Sequence, residues 1–369
     1  MKVLFDHQIF TLQKFGGISR YVVRLAEMLK SEGHTPEISA AMHQNYFLSQ
    51  SKEFGHGRYY SEQFLRGQGR FALLFNDWVF RFKQKVFKPD IVHETFFSGR
   101  SLKSKKYPTV LTVYDMIHEK FPESFPANDK TAEAKRHAVQ RADLVLCISE
   151  STREDLLSFV ETDPSKVKVT YLGFDPVTHV SSAKIQYAPT DKPFLLYVGS
   201  RGGYKNFSVF MSAFAELGEK FANLQVVAFG GGLFSEQELA LQSKLGIADR
   251  VFQIGGGDDF LNCMYQQAVA FVFPSLYEGF GIPPLEAMAN GCPVISSNRS
   301  SMPEVIGNAG LFFNPEQAAE LKSAIVKVVE DQHLRETLVA FGYERIKEFS
   351  WQKCMENTLK EYQELLDNV

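Results

Sequence analysis

The chain has 369 residues, 44% of them hydrophobic and 22% charged, proportions of a globular protein with room for two domains of ordinary size. A formal net charge of −3 argues against a general nucleic-acid binder, while leaving room for a local basic patch. No stretch approaches the roughly 20 apolar residues that a membrane span needs.

Residues 1–5 read as a short buried strand rather than a leader. The four cysteines, Cys147, Cys263, Cys292 and Cys354, form no CxxC pair and no zinc spacing, which fits reduced thiols in a cytoplasmic protein. Further strands are expected in the first half at 91–93, 109–113 and 144–148, with helices over 19–30 and 131–141. The segment 58–88 differs, carrying Arg58, Arg66, Arg70, Arg81, Lys83, Lys85 and Lys88 among many aromatics. It reads as an amphipathic helix pair on the first domain. The sharper alternative is contact with a membrane interface or a lipid-linked acceptor.

Strands are expected in the second half at 194–198, 225–229, 251–254, 270–273 and 294–296, with helices over 207–217 and 316–329. This alternation predicts an α/β protein of two doubly wound, Rossmann-like domains, each a parallel sheet covered on both faces. Residues 175–193, polar and without periodicity, mark the boundary. The expected domains are 1–178 and 190–350, followed by a helix within 351–369 that packs back towards the first. Parallel sheets bind ligands at the carboxyl ends of their strands, so two such domains facing each other predict a ligand in a central cleft.

The strongest motif is Ser275-Leu-Tyr-Glu278-Gly279-Phe280-Gly281-Ile-Pro-Pro-Leu-Glu286-Ala-Met-Ala. A strand ends, a glycine loop follows, and a helix begins near Pro283-Pro284, where a missing N–H costs nothing. Glycine lets backbone N–H groups approach a ligand, and the helix amino end favours phosphate. Either glutamate alone reads as a solvated charge. Together, around this loop, one can reach a sugar and the other ribose hydroxyls.

A second motif, Tyr197-Val-Gly199-Ser200-Arg201-Gly-Gly-Tyr-Lys205-Asn206, places two cations between a strand and a helix. Guanidinium and ammonium suit a leaving diphosphate; the bland reading is an ordinary charged loop. Phe15-Gly16-Gly17-Ile-Ser19-Arg20 precedes a helix and suits a phosphate or acceptor, or serves only steric ends. Thr112-Val-Tyr114-Asp115-Met-Ile-His118 ends a strand, where His118 could donate to a sugar hydroxyl, although a lone histidine there is more often structural. Ser149 is expected to cap a helix. Gly230–Gly232 and Gly255–Asp259 both follow strands. Asp258-Asp259 is not a DxD metal motif, and with two cations at hand no metal and no other cofactor is expected.

The Glu278…Glu286 segment resembles the retaining glycosyltransferase family 4 with its Glu-x7-Glu signature. The resemblance extends over the chain and reaches Gly291-Cys-Pro-Val-Ile and Ser301-Met-Pro-Glu304-Val. It implies a GT-B fold and a nucleotide-sugar donor. It also implies a glycan or lipid-linked acceptor and metal-independent transfer with same-face attack. In such a family Glu278 contacts the transferred sugar, Glu286 the ribose, and Arg201 and Lys205 the diphosphate. Gly16 and Gly17 match its glycine loop, His118 a histidine near the donor sugar, and Gly257 and Asp259 the stretch after a strand where members hold the nucleobase. The Gly202-Gly203 insert is a local departure at Arg201. The sequence is similar to bacterial mannosyl and related deoxysugar transferases of surface polysaccharide assembly, which favours a GDP-linked donor. A sugar-nucleotide epimerase of the same architecture, a non-catalytic nucleotide-sugar binder and, more remotely, a sugar phosphorylase remain as alternatives.

Overall fold

The computed structural model describes residues 1–65, 67–99, 106–174 and 191–368; Arg66 and residues 175–190 of the expected boundary lie outside the described residues. The chain divides into two compact units, Met1–Gly173 with Phe349–Val369, and Phe174–Glu348.

The first unit is built on a six-stranded parallel sheet of β1 (Lys2–Phe5), β2 (Thr35–Ile38), β3 (Ile91–Glu94), β4 (Thr109–Val113), β5 (Leu144–Cys147) and β6 (Val167–Val169). Its order is β2-β1-β3-β4-β5-β6. The inner strands β3, β4 and β5 are buried at every residue, as a parallel sheet covered on both faces requires. The helix Gly17–Ser31 buries Tyr21, Val22, Leu25, Ala26 and Leu29, an apolar stripe at helical spacing. The helix Trp351–Asp367 belongs to this unit and packs on Gly17–Ser31 through Trp351, Cys354, Met355, Thr358 and Tyr362. Trp351 stacks on Tyr21 with ring centroids 6.2 Å apart. Tyr362 shares a hydrogen bond with His93 Nδ1, whose Nε2 meets Thr112 Oγ1 at 2.8 Å.

Segment 58–88 corrects the helix-pair expectation. Arg58–Tyr59 pairs with Met42–His43 as a short parallel ladder, and one 20-residue helix, Gln68–Phe87, follows. Its buried ridge is Ala72, Asn76, Phe80 and Gln84. The Asn76 amide fixes the ridge, donating to Met42 O at 2.7 Å and accepting from Met42 N at 3.0 Å. The helix ends at Lys88, whose left-handed φ of 52° breaks the run.

The second unit repeats the theme with β7 (Phe194–Val198), β8 (Gln225–Phe229), β9 (Val251–Ile254), β10 (Ala270–Phe273), β11 (Val294–Ser297) and β12 (Gly310–Phe313). The order is β9-β8-β7-β10-β11-β12, all parallel. The helix Phe207–Ala215, two residues shorter at its end than its apolar pattern suggests, buries Phe207, Phe210, Met211, Ala213 and Phe214 among Leu195, Val226, Val272 and Ile325. Strand order reverses between β7 and β10, the point in such a sheet where ligands bind at the carboxyl ends of the strands.

Candidate active site

The loops leaving β7 and β10 carry the two strongest motifs, and the sheet topology makes them neighbours. Leu276 N donates to Tyr204 O at 2.8 Å. Buried Asn206, at a left-handed φ of 57°, donates from one amide to Pro274 O at 3.1 Å and Pro315 O at 2.8 Å. These ties bring the Lys205 ammonium to 2.7 Å from the Glu278 carboxylate, with 21% and 13% of the side chains exposed.

Three serines, one ending β11 and two just after it, shape the glycine loop. Ser300 Oγ donates to Glu278 O at 2.6 Å, Ser301 Oγ to Phe280 O at 2.7 Å and to Glu278 O at 2.9 Å, and Ser297 Oγ to Ser275 O at 2.6 Å. The loop ends at Gly281, whose φ of +118° would strain a residue with a side chain, and a Cβ there would lie 3.1 Å from the Met302 methyl. The helix Ile282–Ala289 starts there with proline in its first turn, so its amino end faces the loop that carries Glu278. Glu286, half-buried in this helix, accepts from Tyr265 Oη at 3.3 Å. Burial, and then the Glu286 charge, push the Tyr265 phenol well above its ordinary range, so it remains a donor. Tyr265, Ser297 and Ser300 are not distinguished in the sequence, whereas Ser301 opens the Ser301-Met-Pro-Glu304-Val stretch; a dense Ser-Ser-Asn-Arg-Ser-Ser run ending there is the cue to the other two serines.

Arg201 departs from its expected placement beside Lys205. Its side chain is 3% exposed, and Nε donates to Glu238 at 2.6 Å. Its Nη atoms donate to Gly230 O at 2.9 Å, Gly232 O at 2.9 Å and Leu233 O at 3.0 Å. The turn it holds has three consecutive residues at positive φ, Gly230, Gly231 and Gly232, a backbone that other residues adopt only with strain. A Cβ on Gly231 would meet Gly199 O at 2.6 Å. Hydrogen bonding to Arg201 and Ser235 overcomes burial and lowers the Glu238 carboxyl below its ordinary range. The guanidinium is thus turned into the turn and braced by the capping box of the helix Glu236–Lys244. Gly257 caps the helix Asp258–Gln267, and both Gly257 and Asp259 are exposed at the carboxyl end of β9.

In the first unit, His118 lies on the one-turn helix Ile117–Lys120 after β4 and stacks on Phe125 with centroids 3.8 Å apart. Its buried Nδ1 has no hydrogen-bond partner among the described residues. The fully buried Lys135 ammonium supports this turn, donating to Asp115 O and to Glu119, each at 2.8 Å. Gly16 lies against Gln13, where a Cβ would come within 2.1 Å of the amide, while the space around Gly17 is open. Asp6 after β1, absent from the expected site, is buried and binds Gln8 N at 3.0 Å and Thr95 N at 3.2 Å. Ser149 Oγ caps the helix Glu150–Phe159 by accepting from Thr152 N at 3.0 Å.

Two wound parallel sheets, the second presenting a cation, a carboxylate and a helix amino end at its switch point, define a glycosyltransferase of the GT-B fold. The sequence matches the family described as Glycosyl transferases group 1 over residues 181–345 and Glycosyltransferase Family 4 over residues 15–177. The chain belongs to glycosyltransferase family 4. It is 27% identical to O-antigen chain mannosyltransferase B of Escherichia coli, over 94% of this chain and 95% of that protein. It is 29% identical to the serotype-specific mannosyltransferase WbdA of Escherichia coli, over 71% of this chain but 35% of that longer protein. Among solved structures, sucrose-phosphate synthase from Thermosynechococcus elongatus aligns with a TM-score of 0.77 at 20% identity, covering 100% of this chain and 99% of that one. The Anabaena protein HepE in complex with UDP-glucose aligns at 0.71 and 18% identity, covering 100% of both chains.

Proposed function

We propose that the protein transfers a mannosyl or related deoxysugar unit from a GDP-linked donor to a growing glycan or lipid-linked acceptor of a surface polysaccharide such as O-antigen. Transfer proceeds with retention and without a metal ion. The observation that carries this reading is the Lys205–Glu278 pair at 2.7 Å, a cation fit for a diphosphate beside a carboxylate fit for a sugar hydroxyl, next to the amino end of Ile282–Ala289. The mannosyltransferase names of relatives that match most of this chain support the sugar and the polysaccharide. The four buried free thiols suit a cytoplasmic location.

In this reading residues 190–350 hold the donor and residues 1–178 the acceptor, with 351–369 completing the acceptor domain. Glu286 holds the ribose, Gly257 and Asp259 the base, and Gly279, Phe280 and Gly281 the phosphate side of the loop. Gly16, Gly17 and His118 serve the acceptor and sugar. As the C1–O bond to the diphosphate breaks, negative charge gathers on the phosphate oxygens, where Lys205 and the helix end stabilise it. The acceptor oxygen attacks C1 from the same face, and its proton passes to the departing phosphate oxygen. Arg201 acts here through the glycine turn that it holds, not by direct contact with phosphate.

A thermal-shift series with GDP-, UDP-, ADP- and dTDP-sugars tests the donor, because a ligand that binds only the native state raises the melting temperature by mass action. GDP-mannose should give the largest shift. A shift confined to a UDP- or dTDP-sugar would overturn the choice of base.

A further inference from the structure

The helix Gln68–Phe87 buries one ridge and turns six large apolar side chains outward. Phe71, Leu74, Phe75, Trp78, Phe82 and Val86 are between 37% and 66% exposed. Four of them form a ladder along the helix: Phe71 on Phe75 at 6.1 Å, Phe75 on Trp78 at 6.1 Å and Trp78 on Phe82 at 6.3 Å. Exposed apolar residues scattered singly need no explanation, but a continuous stripe marks an interaction surface. At helical periodicity, Arg70, Arg81 and Lys85 fall in one row along the flank of this stripe, all three exposed, and Lys88 extends it beyond the helix end. The helix has a single acid, Asp77, and that carboxylate meets His7 Nε2 at 3.0 Å.

Charge decides between occupants. A second copy of the chain docked antiparallel by two-fold symmetry would bring two rows of cations together, and docked parallel would put the rows on opposite edges, where the stripe offers them no acid. An anionic bilayer surface supplies negative charge along the whole row and apolar depth to the rings, with long cationic side chains reaching the phosphates from the edge. We infer that the outer face of Gln68–Phe87 seats in the headgroup layer of an anionic lipid bilayer, with the Phe71–Phe75–Trp78–Phe82 ladder inserted and Arg70, Arg81, Lys85 and Lys88 at the lipid phosphates. At ~1.5 Å per residue the helix lies in the plane of the surface for roughly 30 Å. Among the described residues no helix is long and apolar enough to cross a membrane, so this contact is peripheral. It goes beyond the transfer reaction and does not depend on it.

Trp78 makes the contact measurable, because the chain has two tryptophans and the other, Trp351, is buried. The full chain is mixed with vesicles of phosphatidylcholine alone or with added phosphatidylglycerol, and binding is read by co-sedimentation and by the emission wavelength of Trp78. Binding to the anionic vesicles with a blue shift, weakened by salt, is expected. Trp78→Ser/Phe82→Ser and, separately, Arg70→Gln/Lys85→Gln should each lower partitioning about tenfold or more. If the first variant fails to fold, as judged by its melting transition, the charge variant decides. Absence of binding to anionic vesicles, equal binding to neutral ones, or binding unchanged by a folded variant would overturn the inference. A wild-type dimer in solution that Trp78→Ser/Phe82→Ser makes monomeric would assign the face to a second copy instead.

Discussion

The Lys205 ammonium and the Glu278 carboxylate lie 2.7 Å apart across 73 residues of sequence. Topology explains the pairing: β7 and β10 are adjacent, with Leu195 opposite Ala270, and each motif leaves the carboxyl end of its strand. Before a donor arrives, the two charges neutralise each other. A nucleotide sugar would exchange both partners at once, diphosphate for the carboxylate on Lys205 and a sugar hydroxyl for the ammonium on Glu278.

Lys205→Ala should therefore lower turnover by roughly 10²-fold or more, the scale of a lost transition-state charge contact. It should also lower stability, because a mostly buried Glu278 is left without this partner; the cost is about 1.5–3 kcal/mol for a hydrogen bond to a charged group. Lys205→Ala/Glu278→Ala should recover part of that melting temperature without recovering turnover. Full activity in Lys205→Ala would remove the diphosphate role.

The two glutamates should fail differently. Glu286→Ala removes the proposed ribose contact and should weaken free nucleoside diphosphate and nucleotide sugar alike, by roughly ten- to a hundredfold. Glu278→Ala should leave nucleoside diphosphate affinity nearly intact and depress the single-turnover rate. Calorimetric titration of both variants checks this. Equal loss of nucleoside diphosphate affinity in both would mean that the loop acts as one unit positioning the helix end.

Arg201→Ala should behave as a structural variant. It strips Glu238 and the Gly230–Leu233 carbonyls of their buried cation, a change of about 3–5 kcal/mol for a buried pair broken on one side. A large drop in melting temperature is expected, and Arg201→Lys should not restore it, since one ammonium cannot reproduce the planar fork. An Arg201→Ala protein with native stability but no nucleotide binding would return Arg201 to the phosphate.

The inner strands were legible in the sequence because a buried parallel strand is a continuous apolar run, as in Thr109–Val113. The strands that the sequence did not reveal, Thr35–Ile38, Val167–Val169 and Gly310–Phe313, all lie at sheet edges; the first two lack such a run, and the third offers only a short Leu-Phe-Phe. There burial is incomplete, and one strand carries a proline. The loops bearing Lys205 and Glu278 stood out by residue type and spacing. The direction of Arg201 did not, because most of its acceptors are backbone carbonyls about thirty residues away, and a carbonyl has no side-chain signature. Tyr265 escaped notice for a related reason: its hydroxyl meets Glu286 only through the packing of Asp258–Gln267 on Ile282–Ala289.

Chelation is the direct test of the proposed metal-free chemistry. Lys205 and the helix end supply positive charge where a divalent ion would otherwise neutralise the leaving diphosphate, so turnover should persist in excess chelator. Activity lost on chelation and restored by Mg²⁺ or Mn²⁺ would require a cation in the step.

The first unit should be acid-sensitive through His93. Burial lowers this imidazole from its ordinary 6.5 to about 3, and burial also lowers His43 to about 4. Folded His93 stays neutral, between Tyr362 and Thr112, while the unfolded chain takes up a proton as the pH falls through 6.5. Its stability contribution is therefore complete above that value and drains away towards pH 3. Each such histidine adds a slope of at most about 1.4 kcal/mol per pH unit. Urea unfolding at about pH 7 and about pH 5 should show the loss. His93→Gln should be less stable than the wild type at neutral pH, since the Tyr362 contact is disturbed. Its stability should nevertheless fall less steeply on acidification, because one of the two histidines that burial lowers no longer titrates. An unchanged slope in His93→Gln would show that His93 is already protonated, or already exposed, in the folded protein.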